Sequence, residues 1–161
     1  MAERLVEHLA HRHETLVLAE SCTAGLVSDL VARVSGASAV LWGSFVCYTA
    51  DAKERMLGID GNLLRQHGLV SRETAREMAL HALDIAGVSI AAAVTGIAGP
   101  LGDGSGTPVG TVWVSLARRG NFCGVAEAWH AEKELRFQGN RAEVRMQAAE
   151  AVLEKLLETL A

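Results

Sequence analysis

Apolar residues occur along the chain in two patterns: short uninterrupted runs, and longer stretches in which they recur every three or four positions. The runs predict buried strands, and the wider spacing predicts amphipathic helices. Strands are predicted at residues 15–19, 39–48, 88–94, 110–117 and 122–130, the last two joined by a turn at 118–121. Helices are predicted at residues 2–13, 24–34, 52–57, 61–67, 71–86 and 140–160. This order predicts an α/β fold, a three-layer α/β/α sandwich forming a single domain over residues 1–161.

Composition and charge narrow the classes of function. The chain has 161 residues, of which half are hydrophobic and 21% charged, with a formal net charge of -4 and no basic run. We therefore expect no binding to nucleic acid or to an anionic membrane. The apolar stretches are too short to span a bilayer, and the first residues lack the layout of a signal peptide. The three cysteines (Cys22, Cys47 and Cys123) have no CxxC spacing. Reduced thiols in a cytoplasmic protein, with no zinc site, are the simplest interpretation.

The first predicted strand stops abruptly at a group of small and polar residues, Glu20 to Gly25, which precedes a helical pattern. A strand, a tight turn and a helix would place Ser21 or Cys22 near a helix N-terminus, where unpaired N–H groups favour negative charge. Hydrolases of several folds place a nucleophile in such a turn. The spacing alone favours an ordinary helix cap for Ser21, because caps are common and nucleophiles are rare.

Glycines are concentrated in a second segment, residues 95–110, which follows a predicted buried strand. Glycine lets a backbone approach a phosphate closely and donate N–H groups to it. The segment lacks a following Gly-Lys-Ser/Thr, so it is not an ATP-type phosphate loop. A flexible connection explains the composition equally well. Arg141 and Arg145, one helical turn apart, are either a phosphate-binding pair or exposed charges near a helix start.

Three motifs together resemble one protein family. They are Ala19–Gly25, Tyr48–Lys53, and Ala93–Pro100 leading to Pro108–Val112. Their order and spacing are similar to those of the C-terminal domain family of the competence/damage-inducible protein CinA, whose stand-alone members are nicotinamide-nucleotide amidases. The likeness extends through Phe137–Arg141. It implies a CinA C-terminal domain-like fold, and hydrolysis of nicotinamide mononucleotide to nicotinate mononucleotide and ammonia in pyridine nucleotide recycling.

The resemblance assigns catalytic roles to three residues. Ser21 would be the nucleophile, assisted by Lys53 and Tyr48. Lys53 would deprotonate Ser21 directly, or through a Tyr48 placed between them as a proton relay, and burial would lower its pKa. Backbone N–H groups at the start of the following helix would hold the oxyanion. This chemistry needs no metal and no organic cofactor. The residues expected to bind the substrate are Cys22, Thr23, Thr95, Gly96, Gly99 and Arg141.

The chain departs from the family pattern at three places. Ala24 stands where the family usually has glycine, residues 101–107 differ from the usual glycine-rich continuation, and Asn140 replaces an aspartate. None of these changes removes a proposed catalytic group. Ala24 is expected to crowd the backbone near the nucleophile, and the altered loop is expected to change the fit of the substrate.

Other functions remain open at this point. Cys22 shares the turn with Ser21 and is a competing nucleophile. A nucleotide-binding or assembly module of the same family, without turnover, is the alternative of a different class. The alanine-rich helices and the apolar positions of the last helix make a homodimer or higher homo-oligomer the expected assembly.

Overall fold

A five-stranded mixed sheet lies between two layers of helices. The computed structural model describes residues 1–122 and 125–160, and it leaves out the side chains of residues 121–130. The described strands are β1 (Leu16–Glu20), β2 (Leu41–Val46), β3 (Ile90–Gly96), β4 (Thr111–Phe122) and β5 (Val125–Arg136). The described helices are α1 (Ala2–His11), α2 (Leu26–Ala32), α3 (Ala50–Leu57), α4 (Gly61–His67), α5 (Arg72–Ala86) and α6 (Arg141–Leu160), with a 3₁₀ turn at Ala37–Ala39.

Alternate residues of β1 enter two separate cores, which accounts for the three layers. Leu16 and Leu18 pack with apolar residues of α1, α2 and α6. Val17 and Ala19 pack with apolar residues of α3, α4 and α5. Successive strand side chains point to opposite faces, so an uninterrupted apolar run fits a strand covered by helices on both sides. The predicted α/β/α sandwich is confirmed.

The strand order β2-β1-β3-β4-β5 determines where a site can form. β1 pairs in parallel with both β2 and β3, so the carboxyl ends of these strands lie side by side. Glu20 pairs with Val46 on one side and with Val94 on the other. The chain after β1 returns to β2 on one side, whereas β3 lies on the other. Ligand sites in open α/β sheets form at such a switch point.

The predicted turn at residues 118–121 is wrong. β4 continues to Phe122, and its pairing with β5 includes Arg118 with Trp129. The polar side chains that resemble a turn have partners in neighbouring elements, because Arg118 forms an ion pair with Glu14 and Arg119 with Asp84. Cys123 lies outside the described residues. Among the helices that the structure describes, none is both long and apolar enough to cross a bilayer.

Candidate active site

A buried serine–lysine pair lies at the carboxyl ends of the parallel strands. Ser21 directly follows β1, and its N–H donates to Val94 O at 3.0 Å. Lys53 lies in the first half of α3, which begins where the Thr49 hydroxyl accepts from Ala52 N. Lys53 Nζ is 2.9 Å from Ser21 Oγ and donates to Cys47 O at 2.8 Å. The Lys53 side chain is fully buried and Ser21 is 7% exposed. The structure thus brings together two residues that are 32 positions apart.

Burial changes the protonation of Lys53. Loss of hydration lowers the pKa of its amine from the ordinary value of 10.5 to about 8. The two oxygens that Nζ contacts, a hydroxyl and a carbonyl, are both uncharged, so neither compensates for the buried cation. A neutral amine can donate to Cys47 O and direct its lone pair to the Ser21 hydroxyl. The site therefore contains a base that is available near neutral pH.

Cys22 lies beside Ser21, but burial keeps its thiol protonated, whereas burial favours the deprotonated amine of Lys53. Burial raises the pKa of its thiol from 9.0 to about 11, although Lys53 and Arg145 act to lower it. Cys47, on the other side of Lys53, is also raised to about 11 by burial. Both are free cysteines. The thiolate is the nucleophilic form, so neither cysteine is activated near neutral pH.

The turn after Ser21 is organised by the buried carboxylate of Glu20. The helix α2 begins at Leu26, five residues after the serine. Both Glu20 oxygens are fully engaged there, and their donors are Thr23 Oγ1, Gly25 N, Val27 N, Ser28 N and Ser44 Oγ, at 2.8–3.1 Å. The N–H groups at the start of α2 are therefore occupied. The prediction that they hold an oxyanion is wrong, because Glu20 already caps this helix end.

Two backbone donors closer to Ser21 remain available. The N–H groups of Cys22 and Thr23 have no oxygen acceptor within the part of the chain that the structure describes. Cys22 also lines the pocket in front of Ser21. Its N–H is therefore the better candidate for an oxyanion contact.

The Thr23 side chain binds within the turn. It is fully buried and its hydroxyl donates to Glu20 Oε2 at 2.8 Å. The pocket wall next to Ser21 is formed without it. The Thr23 side chain therefore makes its contact within the turn, and substrate binding by Thr23 stays a prediction.

Tyr48 lies in the wall of the pocket and not between Ser21 and Lys53. It is 49% exposed, and its hydroxyl accepts a hydrogen bond from Arg141 Nη2. Because Lys53 reaches Ser21 directly, the predicted relay position for Tyr48 is wrong. Arg141 also donates to Gly99 O at 2.7 Å, so its guanidinium joins the loop after β3 to the segment between β2 and α3.

The pocket is a cavity of about 200 Å³ between these elements. Of the predicted substrate-binding residues, Cys22, Thr95, Gly96, Gly99 and Arg141 contribute to its wall. A Cβ on Gly96 would come within 2.7 Å of Val112 Cγ2, and one on Gly99 within 2.6 Å of Val109 Cγ1. These glycines are therefore required by packing against the start of β4 and the segment before it, whether or not a phosphate approaches them.

Comparison with known proteins identifies the family. The family model for the CinA C-terminal domain matches residues 1–160. The chain belongs to the CinA C-terminal domain family. It is 40% identical over 161 residues to a CinA-like protein of Chlorobium phaeovibrioides, covering 99% of this chain and 37% of that one. It is 44% identical over 142 residues to a CinA-like protein of Geobacter sulfurreducens, covering 88% and 32%. The chain thus spans about a third of the length of these curated relatives.

Solved structures of CinA proteins have the same fold. A competence-damaged protein (CinA) superfamily protein from Klebsiella pneumoniae superposes with a TM-score of 0.89 at 32% identity, covering 99% of this chain and 94% of that chain. A competence/damage inducible protein from Agrobacterium tumefaciens gives 0.87 at 36% identity, covering 98% and 92%.

The structure explains why glycine would be favoured at position 24. Ala24 has φ +50, in the left-handed region that disfavours side chains with a Cβ. Its side chain is exposed, so the substitution strains the backbone but places no atom in the pocket. In the altered loop, Leu101, Gly102 and Asp103 contribute to the pocket wall. The Asp103 carboxylate accepts from Ser105 N and Oγ, and these bonds lower its pKa.

Two important residues of this CinA domain were not predicted. Glu20 is 1% exposed at the end of a buried strand, and a carboxylate there needs several donors, so its position in the sequence is a usable signal. The sequence predicts for Arg145 either a phosphate contact shared with Arg141 or an exposed charge. Arg145 instead donates to Cys22 O at 3.1 Å and to Thr23 O at 2.7 Å. No local pattern signals a contact across more than 120 residues.

The described residues contain no group of three or more His, Cys, Asp or Glu side chains placed to hold a metal ion.

Proposed function

We propose that this CinA-family domain is an amidase that hydrolyses nicotinamide mononucleotide to nicotinate mononucleotide and ammonia. Ser21 is the nucleophile and Lys53 is its base. The observation that carries this proposal is the 2.9 Å contact between Lys53 Nζ and Ser21 Oγ, made by a fully buried lysine whose pKa is lowered to about 8. Amide hydrolysis needs an activated nucleophile, a stabilised oxyanion and a proton donor for the leaving amine.

The first half-reaction uses Lys53 as base and then as acid. Neutral Lys53 takes the Ser21 hydroxyl proton while Oγ attacks the carboxamide carbon. The Cys22 N–H is the candidate donor to the resulting oxyanion, because Cys22 lines the pocket. The Lys53 ammonium then gives its proton to the amide nitrogen, the C–N bond breaks, and ammonia leaves. The nicotinoyl group remains bound to Ser21 as an ester. Cys47 O orients the amine by accepting one of its hydrogens.

In the second half-reaction Lys53 again acts first as base and then as acid. A water molecule enters where ammonia left and gives a proton to neutral Lys53 as its oxygen attacks the ester. The second tetrahedral intermediate collapses, the Ser21 oxygen recovers a proton from Lys53, and nicotinate mononucleotide is released. The same base therefore serves both steps, as in other serine–lysine hydrolases.

Arg141 supports the choice of a nucleotide as substrate. It lies in the pocket wall, and its guanidinium is held by Gly99 O and by the hydroxyl of Tyr48. A guanidinium is suited to recognise a phosphate by paired hydrogen bonds. We propose that Arg141 binds the phosphate of the substrate and that Tyr48 positions Arg141. Thr95 also lines this pocket, and its hydroxyl donates to Leu69 O at 2.8 Å.

A Cys22-dependent amidase is less well supported. The pKa of the Cys22 thiol is raised to about 11, so the thiolate is rare near neutral pH. The base of the site, Lys53, contacts the Ser21 hydroxyl at 2.9 Å. Nucleotide binding without catalysis remains the alternative, and the experiment below must distinguish it from amidase activity.

Ammonia release from nicotinamide mononucleotide tests the proposal. Wild-type protein should release ammonia, and Ser21→Ala and Lys53→Met should abolish the release while far-ultraviolet circular dichroism remains unchanged. Ser35→Ala and Lys133→Met, at exposed positions, are the matched controls and should retain activity. Calorimetric binding of nicotinamide mononucleotide by the wild type, without ammonia after long incubation, would instead identify a binding module.

A further inference from the structure

We propose that Arg145 is a positioning residue of this amidase, which orients and polarises the peptide groups that present the Cys22 N–H to the reaction. This inference rests on the proposed function. It concerns a residue outside the pocket wall next to Ser21, and it assigns to that residue an effect on the rate of the chemical step.

Arg145 binds the turn through two carbonyl oxygens. Its Nε donates to Cys22 O at 3.1 Å and its Nη2 donates to Thr23 O at 2.7 Å. The planar guanidinium therefore holds two successive peptide groups in a fixed relation. The side chain is partly buried and projects from the second turn of α6, a helix of 20 residues packed on the sheet. This long helix provides a rigid support for the contact.

The opposite side of the same turn is held by an opposite charge. Glu20 accepts the N–H groups at the start of α2, while Arg145 binds the carbonyl groups that precede them. An anion on the N–H side and a cation on the C=O side both match the polarity of the peptide groups between them. The turn is thus fixed from both sides without using the N–H of Cys22.

A chain of hydrogen bonds connects Arg145 to that N–H. Thr23 O, which accepts from Arg145, belongs to the same peptide group as Ala24 N. Ala24 N donates to Ser21 O at 3.1 Å, and Ser21 O belongs to the same peptide group as Cys22 N. Hydrogen bonds arranged in series polarise one another. The charge of Arg145 therefore strengthens Cys22 N–H as a donor, and the effect grows when negative charge develops on the substrate oxygen.

Variants of Arg145 test this role against a purely structural one. Arg145→Met removes both hydrogen bonds and the charge, and Arg145→Lys keeps the charge but loses the planar fork. Arg33→Met is the matched control, because Arg33 forms an exposed ion pair with Asp29 on α2. Two rates are measured for each folded variant: kcat and KM for ammonia release from nicotinamide mononucleotide, and the rate at which a fluorophosphonate modifies Ser21, located by peptide mass spectrometry.

We expect Arg145→Met to lower kcat and the modification rate on the order of 100-fold, with KM changed less than about threefold. Arg145→Lys should have intermediate rates, and the acid inflection of kcat/KM should stay near pH 8 because Lys53 is unchanged. Rates equal to those of Arg33→Met, or an effect confined to KM, would overturn the proposal. If Arg145→Met does not fold, the folded Arg145→Lys variant decides, and wild-type rates for it count against the proposal.

The two readouts separate this inference from the proposed function. If the wild type releases no ammonia, the proposed substrate is wrong. The fluorophosphonate rates still show whether Arg145 controls the reactivity of Ser21, because that reaction needs no nucleotide. Ammonia release with equal rates in the Arg145→Met and Arg33→Met variants would leave the amidase proposal intact and refute only the role of Arg145.

Discussion

Lys53 Nζ lies 2.9 Å from Ser21 Oγ, and the lysine is completely buried, with no carboxylate of the described residues at hydrogen-bonding distance from its amine. A buried amine whose partners among the described residues are all neutral is unfavourable as a cation, so the fold favours its neutral form. The same property makes it a base for Ser21. Stability and catalysis are therefore linked through one proton, which gives two predictions about pH.

Activity should depend on the deprotonation of Lys53. Its pKa of about 8 means that kcat/KM should rise about tenfold per pH unit well below pH 8 and level off above it. The pH profile of ammonia release from nicotinamide mononucleotide, measured at substrate concentrations far below KM, provides the inflection. A profile that is flat from pH 6 to pH 9 would exclude Lys53 as the base.

Stability should also report the Lys53 proton. Between pH 8 and pH 10.5 the unfolded chain holds a proton on this lysine that the folded chain has lost, so the free energy of unfolding rises with pH. Relative to Lys53→Met, the wild type should gain on the order of 3 kcal/mol across this interval. Urea unfolding at several pH values measures the difference. If the free energies of unfolding of the wild type and Lys53→Met changed in parallel with pH, Lys53 would have an ordinary pKa in the folded protein.

Replacing Glu20 should lower the free energy of unfolding substantially, because one carboxylate accepts several hydrogen bonds. In the wild type the Glu20 carboxylate accepts hydrogen bonds from backbone N–H groups and a hydroxyl. In Glu20→Gln the side-chain NH₂ group would face some of these donors and could not accept from them. Unsatisfied buried donors cost about 1–3 kcal/mol each, so a loss of at least about 2 kcal/mol is expected. Chemical unfolding gives the value, with the exposed Glu54→Gln as control. A loss equal to that of the control would show that Glu20 does not organise the turn.

Ala24→Gly should stabilise the protein. The residue has φ +50, where alanine is less favourable than glycine by about 1–2 kcal/mol, and its exposed Cβ makes no core contact to lose. Part of this gain is offset by the greater freedom of glycine in the unfolded chain, so a net increase of about 1 kcal/mol is expected. Thermal unfolding measures it, and kcat should change little. A lower midpoint than that of the wild type would contradict the strain assigned to this position.

The sequence pattern predicted the layers of the fold but not every boundary. Uninterrupted apolar strands and helical periodicity depend on burial, which the local sequence encodes, so β1 and α5 lie close to their predicted positions. The extension of β4 past Arg118 was not predictable, because the contacts of Arg118 with Glu14 and of Arg119 with Asp84 connect distant segments.

The site was predicted mainly through family motifs. Ser21 and Lys53 were placed in one site by resemblance, and their direct contact and burial became visible only in three dimensions. Tyr48 was placed in the right pocket and in the wrong relation to Lys53, since hydrogen-bond geometry depends on where β2 ends and α3 begins. Glu20 and Arg145 were missed because their roles depend on backbone groups, which every residue has.

The most direct test of the central claim locates the acyl group formed during turnover. Wild type, Ser21→Ala and Cys22→Ala are mixed with nicotinamide mononucleotide, quenched in acid within the first turnover, and analysed by intact-protein and peptide mass spectrometry. The account predicts a nicotinoyl nucleotide ester in the wild type and in Cys22→Ala, and none in Ser21→Ala. An adduct that persists in Ser21→Ala and disappears in Cys22→Ala would contradict it.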